Sequence, residues 1–126
     1  TDNDLTVIDK ATGISFMGDL IFSRHIPTID GSIKGWISLL EKFSSSPSQR
    51  VVPGHGPPLL KWLDAAPPML AYLTTLAEGV RSCINSGKTL TQALETVGKS
   101  EQHKWELFDA YHRRNISAAY AELEWE

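Results

Sequence analysis

The chain has 126 residues, of which 41% are hydrophobic and 21% charged. That balance is neither disordered nor membrane-like, and the length fits one small domain or a piece of a larger one. The net charge of -3 leaves no basic surplus for neutralising phosphates, which argues against nucleic acid as a main partner. No apolar run reaches the ~20 residues that a membrane span needs.

In chain order, Leu5-Thr6-Val7-Ile8-Asp9 is a β-branched run and Lys10-Ala11-Thr12-Gly13 is turn chemistry. Ile14-Ser15-Phe16-Met17 follows, so the segment predicts an antiparallel hairpin. The second strand is expected to stop at Gly18-Asp19, with Leu20-Ile21-Phe22 continuing apolar. Ile33, Trp36, Ile37, Leu40 and Phe43 fall on one helical face. Asp30-Gly31-Ser32 offers capping oxygens in front of it, with Asp30 the expected cap, and Ser44 to Pro47 ends it. Arg50-Val51-Val52 predicts a short strand. Pro53-Gly54-His55-Gly56-Pro57-Pro58 then predicts a rigid loop, because prolines and glycines disfavour both helix and ladder.

From about residue 66 the chain predicts helix after helix. Pro67-Pro68 suits a first turn, ahead of a stripe of Met69, Leu73, Leu76, Val80 and Ile84 that closes at Gly87. The one cysteine, Cys83, lies in this apolar stretch and is expected to be a buried thiol. Thr89 and Gln92 match a capping box before Leu90, Leu94 and Val97. Ser100 is placed to cap a last helix with Trp105, Phe108, His112, Ile116, Ala119 and Leu123 on its inner face. The expected content is three strands and four helices, an α+β fold. Residues 1–65 form one unit and residues 66–126 a helical extension packed on it.

Two residues stand out chemically. Asp19 is expected where a strand becomes a loop, a place from which rigid backbone presents a side chain into a cleft. Its structural alternative is a turn-forming Asp bonded to its own backbone. His55 lies between two glycines in a proline-bounded loop, where a held backbone would fix the direction of an imidazole ligand. Alone, Gly-His-Gly is weak, and a surface-loop histidine is its alternative. Beside these, Arg24-His25 is expected as a solvent-exposed loop pair, with substrate contact the lesser reading. Tyr111-His112-Arg113-Arg114 lies mid-helix, with its charges pairing to nearby acids. Thr1 as an N-terminal nucleophile is a remote alternative.

The frame around Asp19 and His55 strengthens the pair. Phe16-Met17-Gly18-Asp19-Leu20-Ile21-Phe22, then Pro27 and Asp30-Gly31, then Trp36-Ile37-Ser38-Leu39-Leu40, then Val51-Val52-Pro53-Gly54-His55-Gly56-Pro57, resembles the second half of metallo-β-lactamase-superfamily hydrolases. The nearest likeness is to the zinc metallohydrolases associated with quinoprotein systems, which are glyoxalase II-like, and it extends to Phe108-Asp109-Ala110-Tyr111-His112-Arg113-Arg114-Asn115 in the tail. The resemblance implies half of an αββα sandwich, a small antiparallel-rich sheet with flanking helices, plus a C-terminal helical tail. It implies that Asp19 is a metal-bridging carboxylate and His55 the final histidine ligand.

The family's first ligands come from a His-x-His-x-Asp-His motif, which is absent here. The histidines are His25, His55, His103 and His112. A further family histidine precedes a segment like Thr1-Asp2-Asn3-Asp4-Leu5. The resemblance therefore implies a site with two zinc ions only in a full-length parent, which hydrolyses an ester, thioester or amide of a small molecule. Zinc binding by this chain alone is expected to be weak or absent, with no catalytic residue in isolation. The expected partner is the missing N-terminal half, or a second copy. The quinoprotein likeness implies a periplasmic parent. The alternative function is a non-catalytic α+β interaction module, or a subunit that completes a partner's metal site.

Overall fold

A computed structural model describes residues 3–45 and 50–126. The expectations placed on Thr1, Asp2, Ser46 and Pro47 lie outside the described residues. The fold is α+β. Strands β1 (Val7–Asp9), β2 (Ile14–Phe22), β3 (Arg50–His55) and β4 (Leu60–Lys61) form one mixed sheet in the order β1-β2-β3-β4. The outer pairings are antiparallel, and the central β2–β3 pairing is parallel. Helix α1 (Ile33–Ser44) makes the crossover between the parallel strands. Helices α2 (Trp62–Asn85), α3 (Leu90–Thr96) and α4 (Phe108–Leu123) follow, with a 3-10 helix at Lys99–Lys104 between the last two.

The hairpin forms as its turn chemistry predicts. Asp9 accepts from the Ala11 amide and the Thr12 hydroxyl, and Gly13 takes a φ of 69° that favours glycine. Two strand expectations are corrected. β2 does not stop at Gly18-Asp19 but runs on to Phe22, with its register against β3 shifting on either side of Gly18. Gly18 has φ 53°, the signature of a bulge that re-aims the residues after it. Likewise β3 continues through Pro53, Gly54 and His55. Proline is tolerated there because the register breaks beside it, at the Gly18–Pro53 pair. The two-residue β4 adds a fourth strand.

One face of the sheet is covered. Ser15, Met17 and Val51 point into the core, and α2 packs against β2, β3, α1, α3 and α4. The other face is open: Val7, Phe16 and Val52 stand opposite one another across three strands, with Val7 63% and Phe16 45% exposed.

The helices correct the sequence in three places. α1 is capped by Ser32, whose hydroxyl accepts from the Gly35 amide, and not by Asp30, which pairs with Arg114. Glu122 of α4 strengthens this cap. Its carboxylate accepts from the Ile33 amide at 2.7 Å and the Ser32 hydroxyl at 2.7 Å, which places a negative charge at the positive end of α1. α2 begins at Trp62, a turn and a half before Pro67-Pro68, and so crosses residue 65. Both prolines are exposed, as are Leu63 and Asp64, so the carbonyls that lose their helical donors can turn to water. Finally, Ser100 does not begin the last helix. The backbone breaks at Leu107, with φ 60°, and α4 starts at Phe108. Trp105 is still buried, donating to Glu101 from the end of the 3-10 helix.

Elsewhere the sequence pattern holds. Thr89 and Gln92 form a reciprocal capping box. Met69, Leu73, Leu76 and Val80 are fully buried, and Cys83 is a buried free thiol. Gly87 takes φ 69° after α2. The Gly87 and Lys88 amides donate to Ile84 and Cys83, closing the helix.

Candidate metal centre

β2 and β3 run parallel, so their C-terminal ends lie side by side. The crevice outside such strand ends is where open sheets collect functional side chains. Asp19 follows the bulge in β2, and His55 ends β3. The structure brings the two together: His55 Nε2 lies 3.4 Å from Asp19 Oδ1. Both side chains are accessible, at 47% and 70% exposure respectively.

Glycines make this approach possible. A Cβ on Gly54 would sit 2.7 Å from the Gly18 carbonyl carbon and would also collide with the Asp19 carboxylate. One on Gly56, whose φ is 135°, would sit 2.8 Å from the Ser23 carbonyl oxygen. The Ser23 amide in turn donates to the His55 carbonyl at 2.8 Å. The backbone around the imidazole is thus locked from both sides.

The ring orientation is set by Phe22. Its buried ring stacks on His55 with centroids 4.6 Å apart and planes 15° from parallel. Trp36 packs edge-on against the same Phe22 ring, and its indole N–H donates to the Leu20 carbonyl. Gly54 is one of the two glycines that the sequence sets beside His55, and Phe22 is a part of this site that the sequence reading did not single out. The apolar run directly after Asp19 contains Phe22, but its stacking on His55 follows from the register shift after Gly18.

His25 is not the solvent-exposed loop residue expected. It is half-buried, 5.3 Å ring to ring from His55 and 5.2 Å from Tyr111. Glu106 brackets its backbone, donating its amide to Arg24 and accepting from the Ile26 amide. Arg24 takes φ 67°, a left-handed conformation that a non-glycine residue adopts only when its surroundings enforce it.

Two clefts meet at the pair. One, of about 480 Å³, is lined by Asp19, Leu20, Phe22, Asp30 and Trp36. The other, of about 630 Å³, is lined by Arg24, His25, His55 and Glu106. Asp19 and His55 therefore sit on a ridge between them.

The geometry bears on whether a metal fits. Two ligands each about 2.1 Å from one tetrahedral zinc stand about 3.4 Å apart. A direct charge-assisted hydrogen bond would instead close to about 2.7–2.9 Å. The 3.4 Å separation equals one edge of such a shell, and it is also within the range of a plain imidazole–carboxylate contact. It is only an edge, because among the described residues no group of three His, Cys, Asp or Glu side chains is arranged to hold a metal ion. His103 and His112 lie elsewhere: His103 is in the 3-10 helix, and His112 is buried in α4. Also among the described residues, no helix is long and apolar enough to cross a membrane.

The chain matches no protein-family model and no curated protein at a significant level.

Proposed function

We propose that this chain carries the C-terminal half of a zinc-dependent hydrolase of the metallo-β-lactamase fold, with Asp19 and His55 as two of its metal ligands. The observation that supports this most is the convergence of a carboxylate and an imidazole at a tetrahedral ligand spacing, the first from just after the bulge inside β2 and the second from the end of the parallel strand β3. A bound zinc would supply hydroxide at neutral pH and polarise an ester, thioester or amide carbonyl of a small-molecule substrate. This chain's own residues hold and orient. Phe22 fixes the His55 ring, Gly54 lets Asp19 approach, and the paired clefts give a substrate room on either side. A catalytic zinc takes three protein ligands and a water, so two ligands leave the isolated chain a weak binder without useful hydrolytic activity.

The open face with Val7 and Phe16 is where an N-terminal half, or a second copy, would dock to complete a two-sheet sandwich. The same face supports a second reading, in which the chain is a non-catalytic interaction module or completes a partner's metal site.

Zinc titration by calorimetry tests the ligand role of Asp19 and His55. Weak binding to the wild-type chain, abolished in both Asp19→Ala and His55→Ala, is the expected result. Binding unaffected by either substitution, or tight equimolar zinc retained through purification of the wild-type chain, would overturn the proposal.

A further inference from the structure

A chain of buried polar groups links α2, α4 and two loops, and the candidate metal centre makes no use of it. His112 Nε2 lies 2.9 Å from the Val97 carbonyl, which can only accept, so Nε2 carries the proton. His112 Nδ1 must then accept from the Tyr72 hydroxyl, 3.0 Å away. The Tyr72 oxygen accepts from Asn115 Nδ2 at 3.0 Å. That same amide nitrogen donates to the Pro27 carbonyl at 2.6 Å, and Asn115 Oδ1 accepts from the Ile29 amide at 3.0 Å. Tyr72 and Asn115 are fully buried and His112 nearly so. The imidazole is clamped by the stacked Phe108 ring and by Gly98, where a Cβ would sit 2.7 Å from His112 Cε1.

From the Ile29 amide through Asn115, Tyr72 and His112 to the Val97 carbonyl the donors point one way, with the Asn115–Pro27 bond branching off, so this run has a polarity. We propose that it is a proton-operated latch: protonation of His112 reverses that polarity and releases the Pro27–Ile29 segment while the helices stay packed. The charged imidazole donates from both nitrogens. Nδ1–H then faces the Tyr72 hydroxyl, whose own hydrogen loses its acceptor. A buried donor left without an acceptor is destabilising by about 1–3 kcal/mol. Rotating the Asn115 amide by half a turn would give Tyr72 an acceptor, but it would set an N–H against the Ile29 N–H. The conflict therefore passes to Ile29 and Pro27.

The groups around the ring set the pH range. Burial pulls the His112 pKa below its ordinary value, against the opposing bond to Val97. Glu101 of the 3-10 helix and Asp109 of α4 favour the charged ring, and Lys99 opposes it. α2 presents Tyr72, whose own ionisation burial pushes far upward, so it stays a neutral hydroxyl. The folded pKa is depressed, so stability begins to fall as pH drops below the unfolded imidazole value of about 6.5, while the neutral network itself persists until pH falls through the lower folded pKa.

The released segment matters for position. It joins His25, beside His55, to the Ser32 cap of α1, and Thr28 and Asp30 line the cleft next to Asp19. Acid would therefore loosen one wall of that cleft. The inference does not depend on zinc.

Residue-resolved amide hydrogen exchange on the full chain tests it. As pH falls from about 7.5 to about 4, after correction for intrinsic exchange, Ile29 protection should fall about tenfold, while Leu73 and Leu76 keep theirs. Tyr72→Phe, which removes the relaying hydroxyl, should abolish that pH dependence. Unchanged Ile29 protection in the wild-type chain would overturn the latch, as would a parallel loss at Leu73 and Leu76. A Tyr72→Phe chain with the wild-type pH dependence would overturn it too.

Discussion

Gly54→Ala probes how closely β2 and β3 must approach at the candidate centre. The added methyl meets the Gly18 carbonyl carbon at 2.7 Å and its oxygen at 2.8 Å, as well as the Asp19 carboxylate. Backbone cannot swing aside as a flexible side-chain tip can, so the two strands must separate. Overpacking of this kind costs about 1–3 kcal/mol. For a chain of this size that corresponds to a fall in Tm of roughly 3–6 °C per kcal/mol. The matched control is Gly18→Ala. Nothing lies within 4 Å of its Cβ, and its φ is 53°, so it meets only left-handed strain of about 1–2 kcal/mol. Urea denaturation should give a lower midpoint with unchanged slope for both. If the proposed function holds, only Gly54→Ala should also weaken zinc binding, because only it displaces Asp19 from His55. Gly54→Ala within about 0.5 kcal/mol of wild type, with zinc binding intact, would refute the close approach.

Three further outcomes follow from the structure. Asn115→Leu removes the partner of the Ile29 amide and of the Pro27 carbonyl and one of the two partners of the Tyr72 hydroxyl, and should destabilise the fold by about 2–4 kcal/mol in urea melts. Glu122→Ala removes the carboxylate that caps α1 across 89 residues, and should lower stability by about 1–2 kcal/mol in thermal melts at low salt. Glu126 is held down to about 2, first by its hydrogen bonds from Arg81 and also by Lys34. Its folded pKa lies below the unfolded value, so its stabilisation is present above that value of about 4.5 and is lost as pH falls through about 2. Glu126→Gln should flatten that part of the stability-versus-pH curve.

Local chemistry written in the sequence survived folding. The Asp9–Gly13 turn, the Thr89–Gln92 capping box, the Gly87 helix end and the stripe from Met69 to Val80 each depend on neighbours within a few residues. What failed depended on distant partners. Pro67 and Pro68 look like a helix start, but Trp62, Ala65 and Ala66 bury against the rest of the fold and draw the helix forward past them. Asp30 looks like a cap until Arg114 and Glu122 arrive from α4. His25 looks like an exposed loop residue because Glu106 and Tyr111, which hold it, lie some 80 residues away in the chain. Of the candidate centre, Asp19 and His55 could be named from sequence. The Phe22 platform could not, since stacking on His55 depends on the register shift that follows Gly18.

That register shift also separates a metal-ligand role from a purely structural one. As an ion pair, Asp19 and His55 would contribute about 0–1 kcal/mol at such exposure, and their 3.4 Å spacing is too long for the best of that. Yet the chain bends β2 with a left-handed Gly18, carries β3 through a proline, and keeps glycine at 54 and 56 where a methyl would strike backbone. Each of these weakens an ordinary strand. A marginal surface contact does not account for these concessions, and the proposed metal site would account for them. If zinc stabilises the fold measurably in the wild-type chain but not in Asp19→Asn, the strain serves ligation. If Asp19→Asn and His55→Gln melt and bind zinc like wild type, the strained strand ends have another purpose.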